Sequence, residues 1–493
     1  MQRREFLRST IAGATALVPG IGVSAQWDWL APVEPLMPIW EAAVEGHWHI
    51  VKQWLRRDPT LIALADYANY PDRTAYKVTL LHLAAAFNPD VGILKYLVSL
   101  GADVNSVPDD INSKSPLHFA AAYNSAEVLQ YLVSQGADIH AKGYHGEIPL
   151  HAAAQDNSNV EVLKCLISHG ADVNAMSGYY GTPLHCAARK NSVEVLQYLV
   201  SQGSDVDAKD HYGRIPLHLA AWYNTNVEVL TYFVSLGVDA NAKCYYDCTP
   251  LHYAAGDNSV EVLQYLVAQG ADVNARSNGD STPLHSAAAE NSVEVLQYLV
   301  SQGADVNVKN EFGETPLFRA SGSNTLEVLQ YLVSQGADVH IKTTYDWTPL
   351  HRAARYNDAE VVQYLISLGV DVQAKSKNDW TTLHHAAGCN RRIEVLHCLV
   401  SQGADVNAAT DKGSTPLHLA ADSRVEIVDY LLSQGADVRA KDNNGKTALD
   451  LAMEVEAEDV KEMEENDGYD SVWYQGRIDE RRKVIARLRR AMG

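Results

Sequence analysis

A unit of about 33 residues recurs in fixed phase along most of this chain, and that period narrows the fold more than any other feature. The segment Asn191–Gly203 is repeated letter for letter at Asn291–Gly303. The phase is marked by a Leu at Leu81, Leu117, Leu150, Leu184, Leu217, Leu251, Leu284, Leu317, Leu350, Leu383 and Leu417, spaced 33 or 34 residues apart after a first step of 36. A chain of 493 residues is too long for one globular core. A repeating chain escapes that limit by stacking units that each touch only their neighbours.

Each unit reads as two helices. Thr182 is a good N-cap and Pro183 suits the first helical position, where its missing N–H would be unpaired anyway. Leu184, Ala187 and Ala188 form a small apolar face. Asn191, which tolerates the left-handed conformation, is expected to end that helix, and Ser192 to cap the next. Val193, Leu196, Leu199 and Val200 follow at helical spacing, with Glu194 in the first turn and Gly203 at the close. Turn residues such as Asp210–Gly213 then predict a hairpin-like finger.

The motifs Thr-Pro-Leu-His-x-Ala-Ala, Val-Glu-Val-Leu and Gly-Ala-Asp-Val-Asn, eleven times in phase, resemble the ankyrin repeat family over roughly residues 38–493. The resemblance implies an all-α repeat solenoid of stacked helix-turn-helix units with β-hairpin-like fingers. Residues 26–79 then hold an N-terminal capping unit and an insertion, and 80–446 eleven tandem repeats. Residues 447–493 form a closing unit with an acidic insertion and a basic final helix, placed at 478–491. Its stripe of Val484, Ile485 and Leu488 is assigned to capping in preference to membrane contact.

The first 25 residues carry Arg3 and Arg4, an apolar stretch Ile11–Val23 and a Val23-Ser-Ala25 ending. They resemble a bacterial twin-arginine export signal, which implies a periplasmic or other extracytoplasmic location after cleavage near Ala25. The stretch is short for a membrane span, and no later segment is long enough. The formal charge of −21 argues against nonspecific nucleic-acid binding.

Ten of the 19 histidines occupy the Leu-His position (His82, His118, His151, His185, His218, His252, His285, His351, His384, His418), three residues after the cap and within hydrogen-bond reach of it. The resemblance makes them structural, and Phe318 and Asp450, which replace them, mark layers expected to differ. The recurring second-helix tyrosines (Tyr131 and Tyr198 among them) read as packing. No phosphate loop, nucleophile elbow or metal-ligand spacing stands out, so no cofactor, metal or catalytic residue is assigned. Cys244 and Cys248 flank one fingertip and are a candidate disulfide in an oxidising space, the alternative being two thiols.

The second helix is nearly constant between units while the fingertips and the residues after Leu-His-x-Ala-Ala vary. A fixed frame with changeable tips is the pattern of a recognition surface. The resemblance implies that partners dock on the fingers and on the inner face of the first helix. The matching positions rich in aromatics and bases are Tyr179, Tyr180, Arg189, Lys209, His211, Tyr212, Arg214, Trp222, Tyr245, Tyr246, Tyr345, Trp347, Arg355 and Trp380. Tyr180 stands where other fingers have a turn Gly, which puts that finger's shape in question. The first reading is a non-enzymatic scaffold for another protein. A carbohydrate or cell-wall binder is the second, and an enzyme with a site in the groove the third.

Overall fold

The computed structural model describes residues 39–63, 65–69, 75–107, 113–323, 325–390, 392–465 and 471–493. The expected signal at 1–25 lies outside them. The chain divides into two compact units, Met1–Tyr245 and Tyr246–Gly493.

In the first unit, helix pairs succeed one another from Ile39–Val44 and Trp48–Arg57 to Pro216–Tyr223 and Val227–Ser235. First helices pack on first helices and second on second. Leu184, Ala187, Ala188, Leu196 and Leu199 are buried in this stack as expected, while Val193 and Val200 are half-buried and Val195 takes the third core position of the second helix. The residues before Leu80 add something the sequence pattern did not announce: Ala65–Asn69 pairs antiparallel with Ala75–Thr79, Tyr67 opposite Lys77.

The second unit continues the pattern from Pro250–Asp257 to Val425–Ser433. Its last regular first helix, Pro416–Ala420, is short because one residue fewer separates Leu417 from Val425 than Leu184 from Val193. The closing pair differs from expectation. The acidic run, expected between the helices, extends the first of them as Ala448–Glu465, and the basic helix spans Ser471–Met492. Ile478, Val484, Ile485 and Leu488 are buried, and their helix packs against Val425–Ser433. Buried Arg481 pairs with Asp422 and lies 3.7 Å from buried Asp459, its guanidinium donates to the Ser423 carbonyl (3.2 Å), and Glu480 accepts from the Val425 N–H (2.9 Å).

Three side-chain ladders join the layers. The first is histidine. The Thr182 N–H donates to His185 Nδ1 (3.1 Å), so the ring proton sits on Nε2, which donates to the Arg214 carbonyl of the next finger (2.8 Å). The same pair of bonds recurs at His118 with Glu147 and at His384 with Ser414. Burial, the largest cause, pushes His118 down to about 3 and His151, His285, His351 and His384 down to about 4, and it lowers His185 as well. These imidazoles are neutral, as the bonding requires. Phe318 has no nitrogen with which to reach the Trp347 finger. Asp450 accepts from the Thr447 N–H (2.9 Å) and hydroxyl (2.8 Å). No further finger follows Lys446 among the described residues, so an acceptor alone suffices there.

The second ladder corrects an expectation. Asn191 is extended (φ −94°, ψ 173°), not left-handed. Its amide donates to the carbonyls of Ala154 and Asn157 in the preceding layer (both 2.9 Å), and its Oδ1 accepts from the Ser192 N–H (2.9 Å). Ala154 lies in the last turn of Pro149–Asp156, so the bond satisfies a carbonyl the helix leaves unpaired. Asn157, Asn224 and Asn390 do the same for their predecessors. Ser192 stands at the N-cap without a side-chain bond to the helix; its hydroxyl pairs instead with the Glu194 carboxylate and lowers that group's pKa. The third ladder is the Asn of Asp-Val-Asn: Asn174 donates to the Gly203 carbonyl (2.9 Å) and accepts from the Asp205 N–H (2.9 Å).

Candidate interaction surface

Among the described residues the fingers are tight turns closed on themselves. In the finger Asp210–Arg214 the Asp210 N–H meets the Arg214 carbonyl (2.9 Å) and the Gly213 N–H meets the Asp210 carbonyl (2.9 Å). Gly213 has φ +74°, and a Cβ there would lie 2.4 Å from the Tyr245 ring. Asp247, Asp280, Asp346 and Asp379 fill the corresponding position at φ between 55° and 60°, which Asp tolerates. The Tyr180 finger solves the same problem one residue later: Gly181 takes the positive φ (+72°), and Ser177 pairs with it as an isolated antiparallel bridge. Adjacent fingers are zipped tip to tip, the Tyr245 N–H to the Tyr212 carbonyl (3.0 Å) in the first unit and the Lys377 N–H to the Tyr345 carbonyl (3.1 Å) in the second. Recognition side chains therefore hang from a bonded row.

The candidate residues fall into distinct groups. Tyr245 (64% exposed), Tyr246, Tyr345 (61%) and Tyr179 are open to solvent, as are Lys209 and His211. In the first unit, Tyr179, Tyr180 and His145 pack ring to ring, and burial with Glu147 nearby pushes Tyr180 up to about 12. Arg189 lies over Tyr223 (4.5 Å). Arg214 is not a free anchor. It is ion-paired with buried Asp210 (2.7 Å), and its guanidinium sits 4.6 Å from Tyr212 and 5.7 Å from Trp222, so these three brace the finger root. In the second unit Arg355 stacks over Trp347 (5.7 Å), and Trp347 and Trp380 share a buried neighbour, His385, at 4.3 and 4.9 Å. Cys244 is buried and Cys248 half-buried.

His385 was missed from the sequence because it follows His384 and reads as part of the repeated motif. Its register carried no signal: the x of Leu-His-x-Ala-Ala varies from Leu83 and Phe119 through Ala152, Cys186, Tyr253 and Ser286 to Arg319 and Arg352 in other units.

The residues thus define a protein built of stacked helix-turn-helix units with a zipped row of fingers. The model of ankyrin repeats in three copies matches residues 39–143, 140–210, 217–310, 284–376, 317–410 and 383–466, and the chain belongs to the ankyrin repeat family. No curated protein matches it. Among solved structures, the human ASB11 ankyrin repeat domain aligns with 46% of this chain and 99% of its own length at 28% identity, with a TM-score of 0.40. Ankyrin repeats are generally scaffolds for protein–protein interaction. No helix among the described residues is long and apolar enough to cross a membrane.

Proposed function

We propose that this chain is an exported, non-enzymatic scaffold that holds a partner protein against its fingertips and the inner face of its first helices. The observation that carries the reading is the exposure of Tyr179 and Tyr245 on the fingers of the first unit and of Tyr246 and Tyr345 on those of the second, each on a turn hydrogen-bonded to a neighbouring finger. Large aromatics held at low entropic cost are the residue type that anchors protein interfaces. Export rests on the N-terminal arginine pair and the apolar stretch behind it.

The test is affinity capture from an extracytoplasmic fraction, repeated with the purified partner. Changing Tyr179, Tyr245, Tyr246 and Tyr345 together to Ala should abolish capture and leave the helical circular dichroism unchanged. Undiminished capture by that variant refutes the surface. For export, Arg3→Lys with Arg4→Lys should hold the full-length precursor in the cytoplasm, and unaltered fractionation refutes it.

A further inference from the structure

On the inner face of the second unit, Trp347, Arg355, Trp380, His385, Asp411 and Lys412 line a cavity of about 290 Å³. It adjoins the finger that carries exposed Tyr345. His385 is 1% exposed, and neither Nδ1 nor Nε2 has a hydrogen-bond partner. That register holds Leu, Phe, Ala, Cys, Tyr, Ser or Arg in other layers, so the stack does not require an imidazole there. Arg355 Nε is likewise buried and unpartnered, its guanidinium held over Trp347 and Tyr356. Burial above all, with Arg355 and the neighbouring His351 and His384 adding to it, keeps His385 neutral, down to about 2. The ring therefore offers one N–H and one lone pair.

We propose that this cavity receives an Asp or Glu side chain from an acidic segment of the partner protein. Arg355 Nε–H and the ring N–H of His385 donate to the carboxylate, and the faces of Trp347 and Trp380 take its methylene stem. The sign follows from the lining: two cations, Arg355 and Lys412, stand against one carboxylate, Asp411. The groups left unsatisfied at its floor include two N–H donors, which a charged acceptor fits better than a hydroxyl. The proposal rests on the scaffold reading above, since it names what the partner presents.

The test uses the full chain with ¹³C-labelled histidine, following the His385 Cε1–H resonance by NMR. The probes are N-acetylglutamate methylamide and its uncharged analogue, N-acetylglutamine methylamide. The acid should shift the signal saturably and bind about tenfold more tightly than the amide, the margin expected of charge-assisted over neutral hydrogen bonds. Arg355→Gln should erase that margin. His385→Phe, which keeps a ring between the two tryptophans, assigns the resonance and should weaken acid binding read by tryptophan fluorescence. Equal affinity for the two probes, no shift with either, or a shift with maltotriose but not with the acid each overturns the proposal. Arg355→Gln and His385→Phe proteins that still capture the partner fully would sink the pocket and spare the scaffold. Loss of capture confined to the pocket variants, with the four-tyrosine variant intact, would sink the tyrosine surface and spare the pocket.

Discussion

Asn191→Ala isolates what the asparagine ladder contributes. Asn191 is buried and makes three hydrogen bonds, two to carbonyls of the preceding layer and one from the Ser192 N–H. At about 1 kcal/mol net for each, their loss amounts to about 3 kcal/mol. Global melting is a poor readout, because a long array of layers, each coupled only to its neighbours, does not unfold in one step. Native-state hydrogen exchange on peptides covering 149–168 and 183–201 reads the local opening directly. A loss of about 3 kcal/mol corresponds to a fall in protection of roughly 150-fold. Ser192→Ala is the control. Its side chain makes no N-cap bond and pairs with the exposed Glu194 carboxylate, so protection should change by about threefold or less. Asn191→Gly discriminates further. A residue chosen for left-handed tolerance would lose nothing on becoming Gly, whereas the bridging role requires Gly to cost as much as Ala. Protection unchanged in the Ala variant, or a neutral Gly variant, refutes the ladder.

The buried histidines set a pH dependence. Their ordinary value is 6.5 and their folded values about 3 to 4, so the unfolded chain binds more protons below pH 6.5. Stability should be complete above that pH and fall by about 1.4 kcal/mol per pH unit per histidine between 6.5 and 4; identical thermal melts at pH 7 and pH 5 would contradict this. Gly213→Ala combines a positive φ with a collision against Tyr245, and should cost about 1 to 3 kcal/mol, seen as faster exchange of the Asp210–Arg214 finger; no change would show that the tips are loose. Arg481→Ala removes a buried guanidinium that pairs with Asp422 and donates to the Ser423 carbonyl, while Asp459 keeps Arg477 at 2.6 Å, and should cost about 1 to 3 kcal/mol, freeing the closing helices for proteolysis; resistance equal to the parent chain would refute the capping assignment. A Cys244–Cys248 bridge predicts that reduction adds two hydrogens to the intact mass, and an unchanged mass excludes it.

The period, the caps and the apolar face were legible because they are local: Thr182, Pro183 and Gly203 do their work within a turn of themselves. What crosses from layer to layer was not. The position of Asn191 suggested a helix terminator, since sequence reports a residue's tolerance for φ but not what its amide reaches two turns away in space. The histidine's partner on the cap side was visible at three residues' distance, but its second bond spans 29 residues. Among the candidate recognition residues, exposure at Tyr245 and Tyr345 followed from tip position. Arg214 did not follow, because its companion Asp210 looks like any other turn aspartate. His385 hid within a motif where histidine is the rule one place earlier.

The tie between layers has an evolutionary corollary. Every layer offers its successor near-identical carbonyls at the same heights, so a gene that loses or duplicates one period leaves each remaining donor facing an equivalent acceptor. Such a chain can change its length by slippage of its own coding sequence without relearning how to fold. Substitutions at the tips and inner-face register then alter what it grips while the ladders carry over intact.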